Sequence, residues 1–189
     1  MEIFNYVMVL ASIILGLGIT HLLQGVAGLA QNPGRYKLYW VHLVWVATTF
    51  IGAAFWWWWE FRLSLTTVWT FQLYLFVLLY AVIIYLNCAL LFPSDLKGYA
   101  GYEDYFYSRR RWLIGIAIAH ALADVVDTLL KGWAHFLSLG WGYPTAMAIM
   151  LVLFTGGVIT QNRRYHAAIA VLLLAYELAL AFMSFQTVA

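Results

Sequence analysis

Residues 113–131 read LIGIAIAHALADVVDTLLK, an unbroken apolar helix that carries His120, Asp124 and Asp127 ahead of a terminal lysine. At about 1.5 Å per residue the stretch crosses most of the hydrocarbon core of a bilayer. Positions 120, 124, 127 and 131 follow an i, i+4, i+7, i+11 pattern, so His120, Asp124, Asp127 and Lys131 line one helix face. Ionisable groups in lipid are costly, which makes that face a candidate site.

The rest of the chain agrees with a membrane setting. Of its 189 residues 65% are hydrophobic and only 10% charged, with a mean hydropathy of +0.84. A soluble domain of this length needs far more charged surface. The net charge of +2 does not point to nucleic acid, because the placement of so few charges matters more than their sum. Cys88 is the single cysteine, which excludes an intrachain disulfide or a cysteine-based metal cluster.

Taken in order, the first span runs over about 3–30, read as retained because it is too long for a cleaved signal and lacks a basic leader. Gln31-Asn32-Pro33-Gly34 ends it. The second covers about 38–59 and closes on Trp56-Trp57-Trp58-Trp59, an expected interfacial aromatic belt. The third lies within 66–92 and stops at Pro93. Residues 93–111 read as a cytoplasmic connection lying on the membrane surface, with Arg109-Arg110-Arg111 at anionic headgroups. After the fourth span, the fifth starts near Pro144 and the sixth covers about 165–185. The fold expected is an all-α integral membrane protein of six transmembrane helices.

Eight of the ten basic residues fall in the connections after spans one, three and five; only Arg62 and Lys131 lie on the other side. The positive-inside rule then puts both termini outside a bacterial inner (plasma) membrane.

Residues 14–28, ILGLGITHLLQGVAG, match 113–127 without a gap at an offset of 99, pairing Gly16 with Gly115 and His21 with His120. The offset also carries span two onto five and three onto six. Halves with an odd number of spans insert in opposite directions, so the expectation is two inverted-topology repeats, 1–92 and 112–189, joined by 93–111. Asp124 and Asp127 fall on Gly25 and Gly28, and small residues (Gly16, Thr20, Gly115, Ala119, Ala123) suit close contact between helices one and four.

The function expected is a small transporter or channel for a proton, ion or small solute, its site between helices one and four formed by His21, Gln24, His120, Asp124 and Asp127, with Glu177 of the last span behind them. A b-type haem held by His21 and His120 is the alternative, for electron transfer or sensing. His120, Asp124 and Asp127 also offer nitrogen and oxygen ligands to a divalent metal, and the histidines can instead be hydrogen-bonded packing residues. A non-catalytic subunit or scaffold is the remaining reading. No Walker loop, GxGxxG, nucleophile elbow or HExxH occurs, so enzyme chemistry has no support in motifs. His42 and Asn87 near span ends, His135 outside the spans and His166 at the start of the sixth are expected to be solvated. The partners expected are the lipid bilayer and either a second copy, since six short helices enclose little volume, or a larger membrane complex.

Overall fold

The computed structural model describes residues 3–66 and 68–184. Within them the chain is all-helical, with six helices long and apolar enough to cross a membrane. They are α1 (Ile3–Gln31), α2 (Trp40–Glu60), α3 (Phe71–Leu91), α4 (Tyr102–Leu130), α6 (Gly142–Ile159) and α7 (Arg163–Ser184). A 3-10 turn, Phe61–Leu65, extends α2, and a two-turn helix α5 (Trp133–Ser138) lies between α4 and α6.

Local chemistry accounts for the boundaries. α1 stops before Pro33-Gly34. Thr70 caps α3, its hydroxyl accepting from the Leu73 amide at 3.2 Å. Gly101 starts α4 at φ 155°, where an added Cβ would stand 2.8 Å from the Lys37 carbonyl; the next amide, Tyr102, donates to that same carbonyl at 3.0 Å. Glu103 and Asp104 then occupy the first turn, the favourable end of the helix dipole for acids. Asn162 caps α7 through Oδ1, which accepts from the Arg164 amide at 2.9 Å.

α4 therefore begins eleven residues before the apolar stretch. Residues 102–111, read from sequence as part of a surface connection, are its first turns, because the tyrosines and phenylalanines there alternate with charges at helical spacing and turn inward. Tyr102, Tyr105, Phe106 and Arg110 are all buried. Arg110 donates to the Tyr107 carbonyl at 3.1 Å instead of reaching headgroups.

α1 packs along α3, α4 along α6 and α3, and α2 along α7. The two halves thus pair their helices differently, since the counterpart of an α1–α3 contact would be α4–α7. α1 and α4 are not packing neighbours, contrary to the expectation from the glycine and alanine ridges. The ridge α1 uses is Gly18 and Gly25, seven residues apart. A Cβ at Gly18 would lie 3.2 Å from the Tyr85 Cα, and one at Gly25 would enter the Phe92 ring. Gly16 and Gly115 face open space. Gly25 accommodates Phe92, not an acid of α4.

The half of the bundle near the basic connections holds an aromatic plug. His42 is fully buried, donates from Nε2 to the Leu91 carbonyl at 2.7 Å, and stacks on Tyr102 at 4.7 Å. His166 is equally buried between Phe106 and Tyr107. Neither is solvated as their positions in sequence suggest: α7 starts early enough to draw His166 inside, and packing of α3 and α4 over α2 covers His42.

Gly25→Ala is expected to destabilise the fold by about 1–3 kcal/mol through overpacking against Phe92. Gly16→Ala, in open space, should be neutral or stabilising by up to about 1 kcal/mol. Unfolding followed by circular dichroism in detergent separates the two.

Candidate functional site

A cavity of about 940 Å³ occupies the other half of the bundle, between α2, α3, α4, α6 and α7. It reaches the surface at Arg62, Leu65 and Leu139, the basic-poor end, and extends inward to Trp45, Asn87 and Phe154. Beyond them lies the aromatic plug.

Every acid of the α4 stripe faces this cavity. Asp124 stands about two turns inside the end of α4 and is held by two phenols from different helices. Tyr80 on α3 donates to Oδ1 at 3.3 Å and Tyr143 on α6 donates to Oδ2 at 2.7 Å. Thr128 donates in turn to the Tyr143 hydroxyl at 3.0 Å, which orients that phenol toward the carboxylate. One turn deeper, His120 packs edge-on against Tyr80 with ring centroids 5.6 Å apart, and its Nδ1 lies 3.5 Å from the Asn87 amide nitrogen. Asn87, expected at an interface, is buried.

Nearer the mouth, Lys131 ends the stripe by donating to Glu60 Oε1 at 3.0 Å and to Asp127 Oδ2. Glu60 and Asp127 are 1% and 4% exposed, so this is a buried ion cluster and no surface pair. The two carboxylates hold the Lys131 ammonium between them as direct ion pairs. Lys131 also stands at the C-terminal end of α4, where a cation is favoured. Two carboxylates about one ammonium leave a charge of −1, or one proton or cation to cancel it. Glu60 Oε2 and Asp127 Oδ1 have no hydrogen-bond partner among the described residues. His135 on α5, expected in solvent, is half-buried at the mouth; burial lowers its pKa, and the nearby Arg62 and Lys131 charges act in the same direction.

Glu177 on α7 reaches the cavity opposite α4, beside Gly52 of α2, where an added Cβ would stand 3.4 Å from Oε1. Its Oε2 is buried without a partner among the described residues. The wall is aromatic. Trp56 is 2% exposed and meets Tyr80 edge-on at 5.5 Å, and Trp45 packs on Phe154 at 6.0 Å. The four-tryptophan block is therefore split: Trp57 and Trp58 are about half-exposed like a belt, whereas Trp56 turns into the bundle.

The structure brings His120, Asp124, Asp127 and Glu177 to one cavity and leaves His21 and Gln24 out of it. His21 Nε2 is 2.7 Å from the Phe92 carbonyl, a helix-to-helix bond that joins α1 to α3. That is the packing role, and it occupies the nitrogen that a haem iron would need. Gln24 is exposed beside a second, smaller cavity of about 550 Å³ at the basic end, shared with Gly25, Gly28 and Phe92. The paired-histidine haem geometry is thus not assembled, because its two helices face different neighbours. Nor do His120, Asp124 and Asp127 form a metal site: among the described residues no three His, Cys, Asp or Glu side chains converge on one point. Asp124 is turned to phenols and Asp127 to Lys131.

Sequence reasoning missed Glu60, Tyr80, Tyr143 and Trp56. The i, i+4 pair Asp127–Lys131 was visible, but nothing in sequence linked it to Glu60, 71 residues away from the lysine. No protein-family model, curated protein or solved structure matches the chain.

Lys131→Met leaves two buried carboxyls facing each other and should cost about 3–5 kcal/mol. The triple change Lys131→Met, Glu60→Gln, Asp127→Asn should recover much of that loss. Thermal melts in detergent at one pH compare them; equal stability of Lys131→Met and the wild type would remove the ion cluster as a structural element.

Proposed function

We propose that the protein is a small membrane transporter or channel that admits a proton, ion or small solute from the basic-poor face, with Asp124, His120, Asp127 and Glu177 along the route. The observation that carries this reading is the one-ended cavity itself, which among the described residues holds four carboxyl groups and one buried ammonium at membrane depth. Such groups are expensive in lipid and are retained where something charged is bound or moved. The site differs from the one expected from the repeat: it lies among α2, α3, α4, α6 and α7, with α1 contributing only Phe4, Asn5 and Met8 near the mouth.

The basic-residue bias puts the mouth outside the cell membrane and the aromatic plug toward the cytoplasm. Passage then requires the packing of His42, Tyr102, Phe106 and His166 to open, in the manner of alternating access. Asp124, fixed by two phenols, is the group that an entering cation meets at the centre of the cavity.

Electrical recording from proteoliposomes, challenged in turn with proton, Na⁺, K⁺ and charged organic solutes, tests this reading. Asp124→Asn should cut the substrate-dependent current by about tenfold or more. Currents that stay the same in the wild type, Asp124→Asn and His120→Ala, or that match empty liposomes, would overturn it.

A further inference from the structure

We propose that the cavity takes a small organic ammonium ion, its charge at Asp124 and Glu177 and its carbon body against the aromatic wall; this rests on the reading of the cavity as a solute site. Size is the first argument. A volume of about 940 Å³ falls within the range of small-molecule pockets, whereas a proton relay or a bare metal ion needs only a chain of close oxygen groups. Among the described residues no three His, Cys, Asp or Glu side chains converge to hold a bare metal ion.

Charge is the second. Lys131 is taken up by Glu60 and Asp127, so it does not neutralise the acids deeper in. Asp124 has phenol donors and no ion pair, and Glu177 has a buried oxygen with no partner, among the described residues. An anionic or apolar occupant leaves those carboxyls uncompensated. A cation satisfies them.

The wall is the third. Trp45, Trp56, Tyr80 and Phe154 all line the space that contains Asp124. Tyr80 serves twice, because its hydroxyl binds Asp124 while its ring is part of the wall, so a cation at that carboxylate also lies next to an aromatic ring. Aromatic rings with a carboxylate recognise alkylated ammonium groups through cation–π attraction while tolerating their methyl or methylene groups, which a strongly hydrated Na⁺ does not offer. Gly52, without a side chain, makes room for the Glu177 carboxylate at the edge of the cavity.

The decisive comparison uses choline and 3,3-dimethylbutan-1-ol, which share a shape and differ in charge. Calorimetry and tryptophan fluorescence on the purified protein in detergent should show saturable choline binding, with the neutral isostere weaker by about tenfold or more. Asp124→Asn and Glu177→Gln should each weaken choline by a similar factor. If Asp124→Asn fails to fold, Glu177→Gln and the isostere pair still decide. Equal binding of choline and the isostere overturns the proposal, as does the absence of saturable binding of choline, tetramethylammonium and ethanolamine up to about 10 mM. Because binding is read without a membrane, ammonium binding with no current sinks only the transport reading, and proton or Na⁺ current with no ammonium binding sinks only this one.

Discussion

One buried ammonium sets the limits within which the acids of this protein can be placed. Lys131 lies between Glu60 at the end of α2 and Asp127 on α4, and ties the two helices together at the mouth of the cavity. Charges this deep are tolerated only when paired, and the pair must form with good geometry to offset lost hydration. Among the described residues Lys131 serves these two carboxylates and reaches neither Asp124 nor Glu177. Asp124 is therefore supported by neutral donors, Tyr80 and Tyr143, and Glu177 is left with little support at all. The unequal treatment of four acids is what gives the cavity a chemical direction, from a compensated entrance to an uncompensated interior.

The bundle is also unequal along its axis. Toward the basic connections, rings pack on rings and even the histidines are consumed by carbonyl bonds and stacking. Toward the mouth, α2 and α7 meet over a glycine and a glutamate where the other end has aromatic contacts, and space remains. A membrane protein gains little from hydrophobic association between helices, so close packing where backbones can approach decides which helices touch. Gly18 and Gly25 bring α1 onto α3; the absence of comparable contact between α1 and α4 is why the sequence match between them does not become a shared site.

How much was legible in the sequence follows from this. Hydropathy showed six spans, because each helix must present a nearly continuous apolar run to lipid. The helical face of His120, Asp124 and Asp127 was legible as well, since spacing within one helix is a local property. The role of His21 is not legible: its match to His120 is real in sequence, but a histidine with a carbonyl in reach has the same local pattern as one facing a cavity. The start of α4 is not legible in the sequence, because its first turns are amphipathic and rich in tyrosine, a pattern shared by interfacial segments and by helix ends that turn inward.

The sequence by itself determined the membrane setting, the six apolar helices and the acidic face of α4, all of which depend on composition or on neighbours within a few residues. Only the tertiary structure decided that Glu60 meets Lys131, that two tyrosines from separate helices hold Asp124, and that Glu177 looks across at Gly52. Those contacts join residues tens of positions apart. They depend on which glycines let which helices approach, and in an apolar chain nearly every helix face is equally suited to be buried until the packing is known.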